Sequence, residues 1–114
     1  MSGVKRVGQV IRLRPEYREA YLALHAEPWP GVLATLQAAN IRNYSIFEYG
    51  ELLFAYFEYT GEDWAADTAR IAADPVTQAW WARTDPCQER LPGTPDGEQW
   101  LTLPQVFCMP GDAP

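Results

Sequence analysis

"IRNYSIFEYGELLFAYFEYTG", residues 41–61, consists of two runs of aromatic and β-branched residues that meet at Tyr49-Gly50-Glu51. Such runs separated by a short glycine-bearing turn read as a β-hairpin. In the second arm both alternating sets are apolar or aromatic: Leu53, Ala55, Phe57 and Tyr59 on one side, Leu52, Phe54 and Tyr56 on the other. A strand with one wet face would alternate apolar with polar, so both faces of this sheet are expected to be covered.

Outward from the hairpin, "VKRVGQVIRL" at residues 4–13 is rich in β-branched residues and reads as a strand. Pro15 is a good first-turn residue for a helix. The helical pattern runs from it towards Asn40, with Ala20, Tyr21, Leu24, Val32, Leu33 and Leu36 at helical spacings. Pro28 and Pro30 remove hydrogen bonds inside that run, which predicts two helical pieces with a break near Glu27 to Pro30. After the hairpin, Thr60 and Asp63 suggest a capping box for a second helical region. Asp74-Pro75, an N-cap residue followed by an N1 proline, starts a separate helix over "DPVTQAWWART". From Pro86 to Pro104 the chain is broken by prolines and glycines and reads as a long loop. "LPQVFCM" at residues 103–109 reads as the last strand.

The order βαββαβ is the α+β, ferredoxin-like arrangement of an antiparallel sheet with helices on one face. A chain of 114 residues makes one domain, 1–114, and has little left to cover the other sheet face. A symmetric homodimer with two sheets facing each other is the expected solution. The alternative is that these aromatics line a monomer core.

Nine Lys and Arg against fifteen Asp and Glu give a net charge of −6, and no stretch gathers the basic residues on one face. Nucleic acid and anionic membranes are therefore not expected partners. No apolar run approaches the roughly 20 residues that span a bilayer, and the first ten residues lack a signal-peptide core, so a cytoplasmic protein is expected. Cys87 and Cys108 are too few and too far apart for a disulfide framework or a zinc ligand set, and read as ordinary thiols.

His25 is the only histidine. Residues four apart on a helix lie nearly above one another, so Tyr17, Tyr21 and His25 form one stripe. Imidazole titrates nearest neutrality and is the best-matched general acid or base. Spacing alone leaves two readings open, a proton carrier or a residue that caps the broken helix or faces solvent. Trp80 and Trp81 point about 100° apart, so one indole can fill the core while the other reaches a cavity. Such a pair suits flat, half-apolar ligands such as pyranose rings, with core packing alone as the alternative. Asn43 and Tyr44 fall on opposite faces of the second strand. There is no glycine-rich phosphate loop, nucleophile elbow, histidine pair for a metal, or cysteine near His25.

"YLALHAEPWPGVLATLQAANIRNYSIF", "LLFAYFEY", "WAADTARIAADPVTQAWW" and "LPQVF" together resemble the L-rhamnose mutarotase family, over about residues 7–110. The most specific parts are the tyrosine four residues before His25 followed by "PWP", the Asn43-Tyr44 pair, and Trp80-Trp81 after Asp74-Pro75. The resemblance implies a dimeric α+β barrel that interconverts the anomers of L-rhamnose with no cofactor and no metal. It makes His25 the proton donor and Tyr21, Tyr44, Trp80 and Trp81 the sugar contacts. "PCQERLPGTPDGEQWLT" departs from the family pattern, which puts the exact sugar in doubt. Two rival expectations are a cofactor-independent oxygenase or isomerase acting on an apolar substrate, and a non-catalytic sugar-binding dimer.

Overall fold

The computed structural model describes residues 4–109. Strand β1 (Lys5–Leu13) lies at the centre of the sheet and turns Val7, Ile11 and Leu13 towards the interior. Strand β2 (Ile41–Tyr49) and strand β3 (Leu52–Tyr59) form the expected hairpin, with Tyr49 opposite Leu52. Gly50 takes φ 59° in the two-residue turn, a conformation that costs a residue without Cβ little. Antiparallel pairing of β1 with β3 runs from Lys5 opposite Tyr59 to Arg12 opposite Leu52. It sets Val7, Ile11, Leu53, Ala55, Phe57 and Tyr59 on one buried face.

The helices cover that face. Helix α1 (Arg18–Ala26) follows a single 3-10 turn at Pro15–Tyr17, and helix α2 (Pro30–Ala38) begins where Pro30 can occupy the first turn without losing a hydrogen bond. The break falls where the prolines require it. Helices α3 (Trp64–Ala73) and α4 (Pro75–Thr84) return over the sheet, and the Asp74 side chain caps α4 by accepting from the Thr77 N–H at 2.8 Å. No helix among the described residues is long and apolar enough to cross a membrane.

The strand order β2-β3-β1-β4 is the ferredoxin-like one, with β4 (Gln88–Glu89) and β5 (Leu101–Leu103) both pairing β1. Two expectations need correction here. The last strand is Leu101–Leu103, opposite Gly8–Val10, and not residues 103–109. Pro104 has no N–H to donate to the ladder, and beyond it Val106, Phe107 and Met109 run exposed without a strand partner. The cap of α3 is Asp63 alone, which accepts from the Ala66 N–H at 3.0 Å. Thr60 instead gives its hydroxyl to the Asn40 carbonyl at 3.2 Å and ties the end of β3 to the end of α2.

The interior divides into two apolar clusters. Tyr21 of α1 and Cys87 pack with Ile11, Leu13 and Leu53 at one end. Leu36 of α2 and Ile71 of α3 pack against Val7, Ile41, Phe57 and Tyr59 at the other. Between them the paired positions are Ala55, which is small, and Gln9, whose amide reaches the Thr102 hydroxyl at 3.3 Å. At the second cluster, buried Asp67 accepts from the Tyr59 hydroxyl and from Asn40 Nδ2, which pins α3 to β3 and to the end of α2. Those two hydrogen bonds hold the Asp67 carboxyl below the usual carboxylate range.

Leu53 is among the largest fully buried side chains. Leu53→Ala should cost about 2–5 kcal/mol of folding free energy, the range for emptying a packed leucine site. Chemical denaturation of the two proteins, read at equal m-value, measures it.

Candidate active site

The helix break positions the first group of side chains. Trp29 sits between Pro28 and Pro30 with φ −69° and ψ 127°, the extended conformation that a following proline enforces. Its carbonyl opens α2 by accepting from the Val32 N–H at 3.0 Å. Its indole meets Trp80 edge to face, centroids 5.2 Å apart. On the other side of the break, His25 occupies the last turn of α1 and also meets Trp80 edge to face, at 5.2 Å. Tyr21, one turn earlier, stacks on the imidazole at 4.1 Å. Edge-to-face and offset contacts at these distances are the favoured arrangements of aromatic rings.

One hydrogen bond defines the chemistry of the imidazole. His25 Nδ1 lies 2.9 Å from the Tyr21 carbonyl oxygen. A carbonyl only accepts, so Nδ1 carries the hydrogen and the neutral ring presents its lone pair at Nε2. Burial pushes the imidazole below its ordinary 6.5, opposed by that same carbonyl. At neutral pH His25 is therefore a base in waiting. Among the described residues no carboxylate hydrogen-bonds to His25 or to Tyr21.

Tyr44 approaches from the sheet. β2 carries an irregularity between Arg42 and Ser45, and Asn43 sits at φ 54° within it. An extra residue in a strand inverts the alternation beyond it and re-aims the side chains beside it. Asn43 here bonds Glu58, while Tyr44 stacks on Phe57 of the inner face with centroids 5.3 Å apart. Tyr44 is 40% exposed as a whole residue, and desolvation at its hydroxyl end raises the phenol to about 12. Tyr21 is raised as well, chiefly by burial, against the lowering effect of the hydrogen bond from Gln88. Both shifts keep the phenols protonated across the physiological range, so each carries a hydrogen it can donate.

The structure thus brings Tyr21, His25 and Trp80 into contact, whereas Tyr44 stacks on Phe57 and makes no ring contact with those three among the described residues. Trp81 stands apart: it is 39% exposed against 7% for Trp80, and it makes no ring contact among the described residues. Adjacent helical residues diverge, and the buried place went to Trp80. Two residues that sequence reasoning missed belong here. Trp29 had a local signal, its lock between two prolines. Gln88 had none, because it comes from a two-residue strand inside the proline-rich segment, yet its Nε2 reaches the Tyr21 hydroxyl at 3.2 Å.

Residues 6–109 match the family model described as L-rhamnose mutarotase. An L-fucose mutarotase of Xanthomonas campestris pv. campestris is 41% identical over 86 residues, covering 74% of this chain and 68% of that one. An L-rhamnose mutarotase of Listeria monocytogenes is 36% identical over 108 residues, covering 93% and 99%. The crystal structure of an L-rhamnose mutarotase from Formosa agariphila superposes with a TM-score of 0.72 at 23% identity, covering 93% and 99%, and shares the fold. With the match running through both helix pairs and every strand, the chain belongs to the L-rhamnose mutarotase family.

Proposed function

We propose that the protein is an L-rhamnose mutarotase and that His25 carries the proton. Exchange of anomers requires O1 to lose a proton, the C1–O5 bond to break as C1=O1 forms, and O5 to gain a proton. Rotation about C1–C2 then lets the ring close on the other carbonyl face. Nε2 of neutral His25 takes the O1 proton, and the imidazolium delivers it to O5, an atom bonded to the same carbon. His25 becomes a donor only after it has been an acceptor. Closure reverses both transfers and returns the ring to its starting state.

The observation that carries this reading is the Nδ1–H bond to the Tyr21 carbonyl, which leaves one nitrogen free and unprotonated beside an indole. Trp80 supplies an apolar face for the C–H side of a pyranose, with Trp81 as a further contact at the exposed margin. Tyr44 and Tyr21 donate hydrogen bonds to sugar oxygens; the Tyr21 hydroxyl hydrogen has no acceptor among the described residues. The reaction needs no metal or cofactor, since one imidazole accounts for every proton moved. Its site is a cytoplasmic one in this reading.

The assembly belongs to the same proposal. Cross-strand register places Phe47 beside Phe54, and Tyr49 beside Leu52, on the sheet face turned away from the helices. Phe47 is 65% and Tyr49 78% exposed, an apolar surface of the kind that interfaces cover. A second copy applied through a two-fold axis buries both surfaces at once and closes two curled sheets into a barrel.

His25→Asn should lower catalysed anomer exchange of L-rhamnose by roughly 10²- to 10⁴-fold, the ordinary range for losing a general acid or base, with sugar binding largely kept. Saturation-transfer NMR measures the exchange, and a variant as fast as its parent counts against the assignment. Catalysis by the neutral ring should rise with pH through a limb below 6.5 and then stay level across neutrality. A rate that instead declines between pH 6 and 8 would mean that the imidazolium is the starting form. Sedimentation equilibrium should give twice the chain mass for the parent, and Phe47→Lys, which sets like charges across the two-fold axis, should give a monomer. A parent that sediments as a monomer at micromolar concentration rules out the facing-sheet dimer.

A further inference from the structure

We infer that Gln88 and Gln99 form a relay that selects the sugar by committing the Tyr21 hydroxyl to donate its hydrogen. The inference rests on the mutarotase reading and names a specificity device within that site. Gln99 Nε2 donates to Gln88 Oε1 at 3.3 Å, and Gln88 Nε2 donates to the Tyr21 hydroxyl at 3.2 Å. In this orientation the Gln88 amide, its oxygen engaged by Gln99, turns its N–H towards Tyr21. With a hydrogen accepted from Gln88, Tyr21 has its own hydrogen left to give, and that hydrogen has no acceptor among the described residues.

The surroundings make this amide conspicuous. Gln88 is 6% exposed, and the tyrosine it bonds packs in the cluster of Ile11, Leu13, Leu53 and Cys87. An apolar side chain of equal length would fill that place without the desolvation cost of an amide. Gln99 is held in position from the other side. The Arg90 guanidinium donates to the carbonyl oxygens of Thr94, Pro95 and Glu98, which folds the proline-rich segment back on itself and delivers Gln99 to Gln88. The proline-rich segment is thereby wired to the Tyr21 hydroxyl.

The chemical consequence is directional. A hydroxyl free to rotate can donate or accept and discriminates weakly, whereas one committed to donation favours a sugar that presents an oxygen lone pair at that point. Sites built to hydrogen-bond a particular hydroxyl reject analogues lacking it far more strongly than apolar pockets do. The relay acts through Tyr21, so Gln88 and Gln99 are positioning residues.

The test is kcat/KM for anomer exchange, by NMR, across rhamnose, fucose, galactose and lyxose for the parent, Gln88→Met, Gln88→Glu, Gln99→Leu and the Gln88→Met/Gln99→Leu double variant. Gln88→Met should shrink the ratio between the best sugar and the next about tenfold, chiefly through KM of the best sugar, with the acid limb of the pH profile unmoved. Gln99→Leu should lose part of the same ratio, and the double variant should lose no more than Gln88→Met alone, as links in series require. Gln88→Glu has the shape of the parent but a carboxylate that takes the Tyr21 hydrogen, so it should lower the best sugar further than Gln88→Met does. Thermal midpoints accompany every variant; if position 88 does not tolerate change, Gln99→Leu decides alone. An unaltered sugar ratio in Gln99→Leu, or a Gln88→Glu protein that matches the parent, overturns the relay. A parent that accelerates no sugar removes the mutarotase reading and the relay with it.

Discussion

The antiparallel pairing of β1 with β3 governs where everything else can lie. Its register, Lys5 opposite Tyr59 through Arg12 opposite Leu52, sends one continuous apolar set to a single face. A slip of one residue would turn that set to solvent, so the pairing is held by the burial it produces. The helices have only that face to cover, and their two anchor points, at Tyr21 and at Leu36 with Ile71, sit at opposite ends of it. Between them the register pairs small Ala55 with polar Gln9.

The chemistry follows from what the helix break does at the Tyr21 end of that face. Two prolines end α1 at Ala26 and delay α2 to Pro30, which leaves His25 in a last turn and Trp29 in an extended link, both against Trp80. The backbone itself then sets the tautomer, because a carbonyl one turn back can only receive the Nδ1 hydrogen. Burial works in the same direction by disfavouring the imidazolium. With no carboxylate bonded to it among the described residues, the ring keeps an uncharged resting state, which suits the proton carrier proposed for it. Tyr21 contributes three separate things to this arrangement: its ring as a platform, its carbonyl as the tautomer lock and its hydroxyl as the end of the glutamine relay.

Much of this was legible in the chain. The hairpin at Gly50, the break between Ala26 and Pro30, and the Asp74-Pro75 start of α4 are local events decided by φ preferences and missing N–H groups, and each lies where those rules put it. The spacing of Tyr21 and His25 also carried through, since four residues along a helix are neighbours wherever the helix goes. The irregularity that turns Tyr44 inward was not legible, nor was the strand that ends at Leu103 with the apolar residues beyond Pro104 left unpaired. The first depends on the register of β2 against β3 across the hairpin, and the second on how far the chain can pair with β1 before Pro104. Gln88 and Gln99 were hidden because both lie in a proline-rich stretch with no period of its own: the partner of Gln99 is Gln88, and that of Gln88 is Tyr21, 67 residues away.

By itself the sequence determined the order of elements, the places where helices must stop, the apolar faces and the one-turn spacing of Tyr21 and His25. These depend on dihedral limits and side-chain period, which act over a few residues. Only the tertiary structure decided which indole of Trp80-Trp81 is buried, which nitrogen of His25 is free, which way Tyr44 points and what holds the hydroxyl of Tyr21. Those outcomes depend on which distant groups arrive within hydrogen-bonding or ring-contact range, and that is settled by packing against the one buried sheet face.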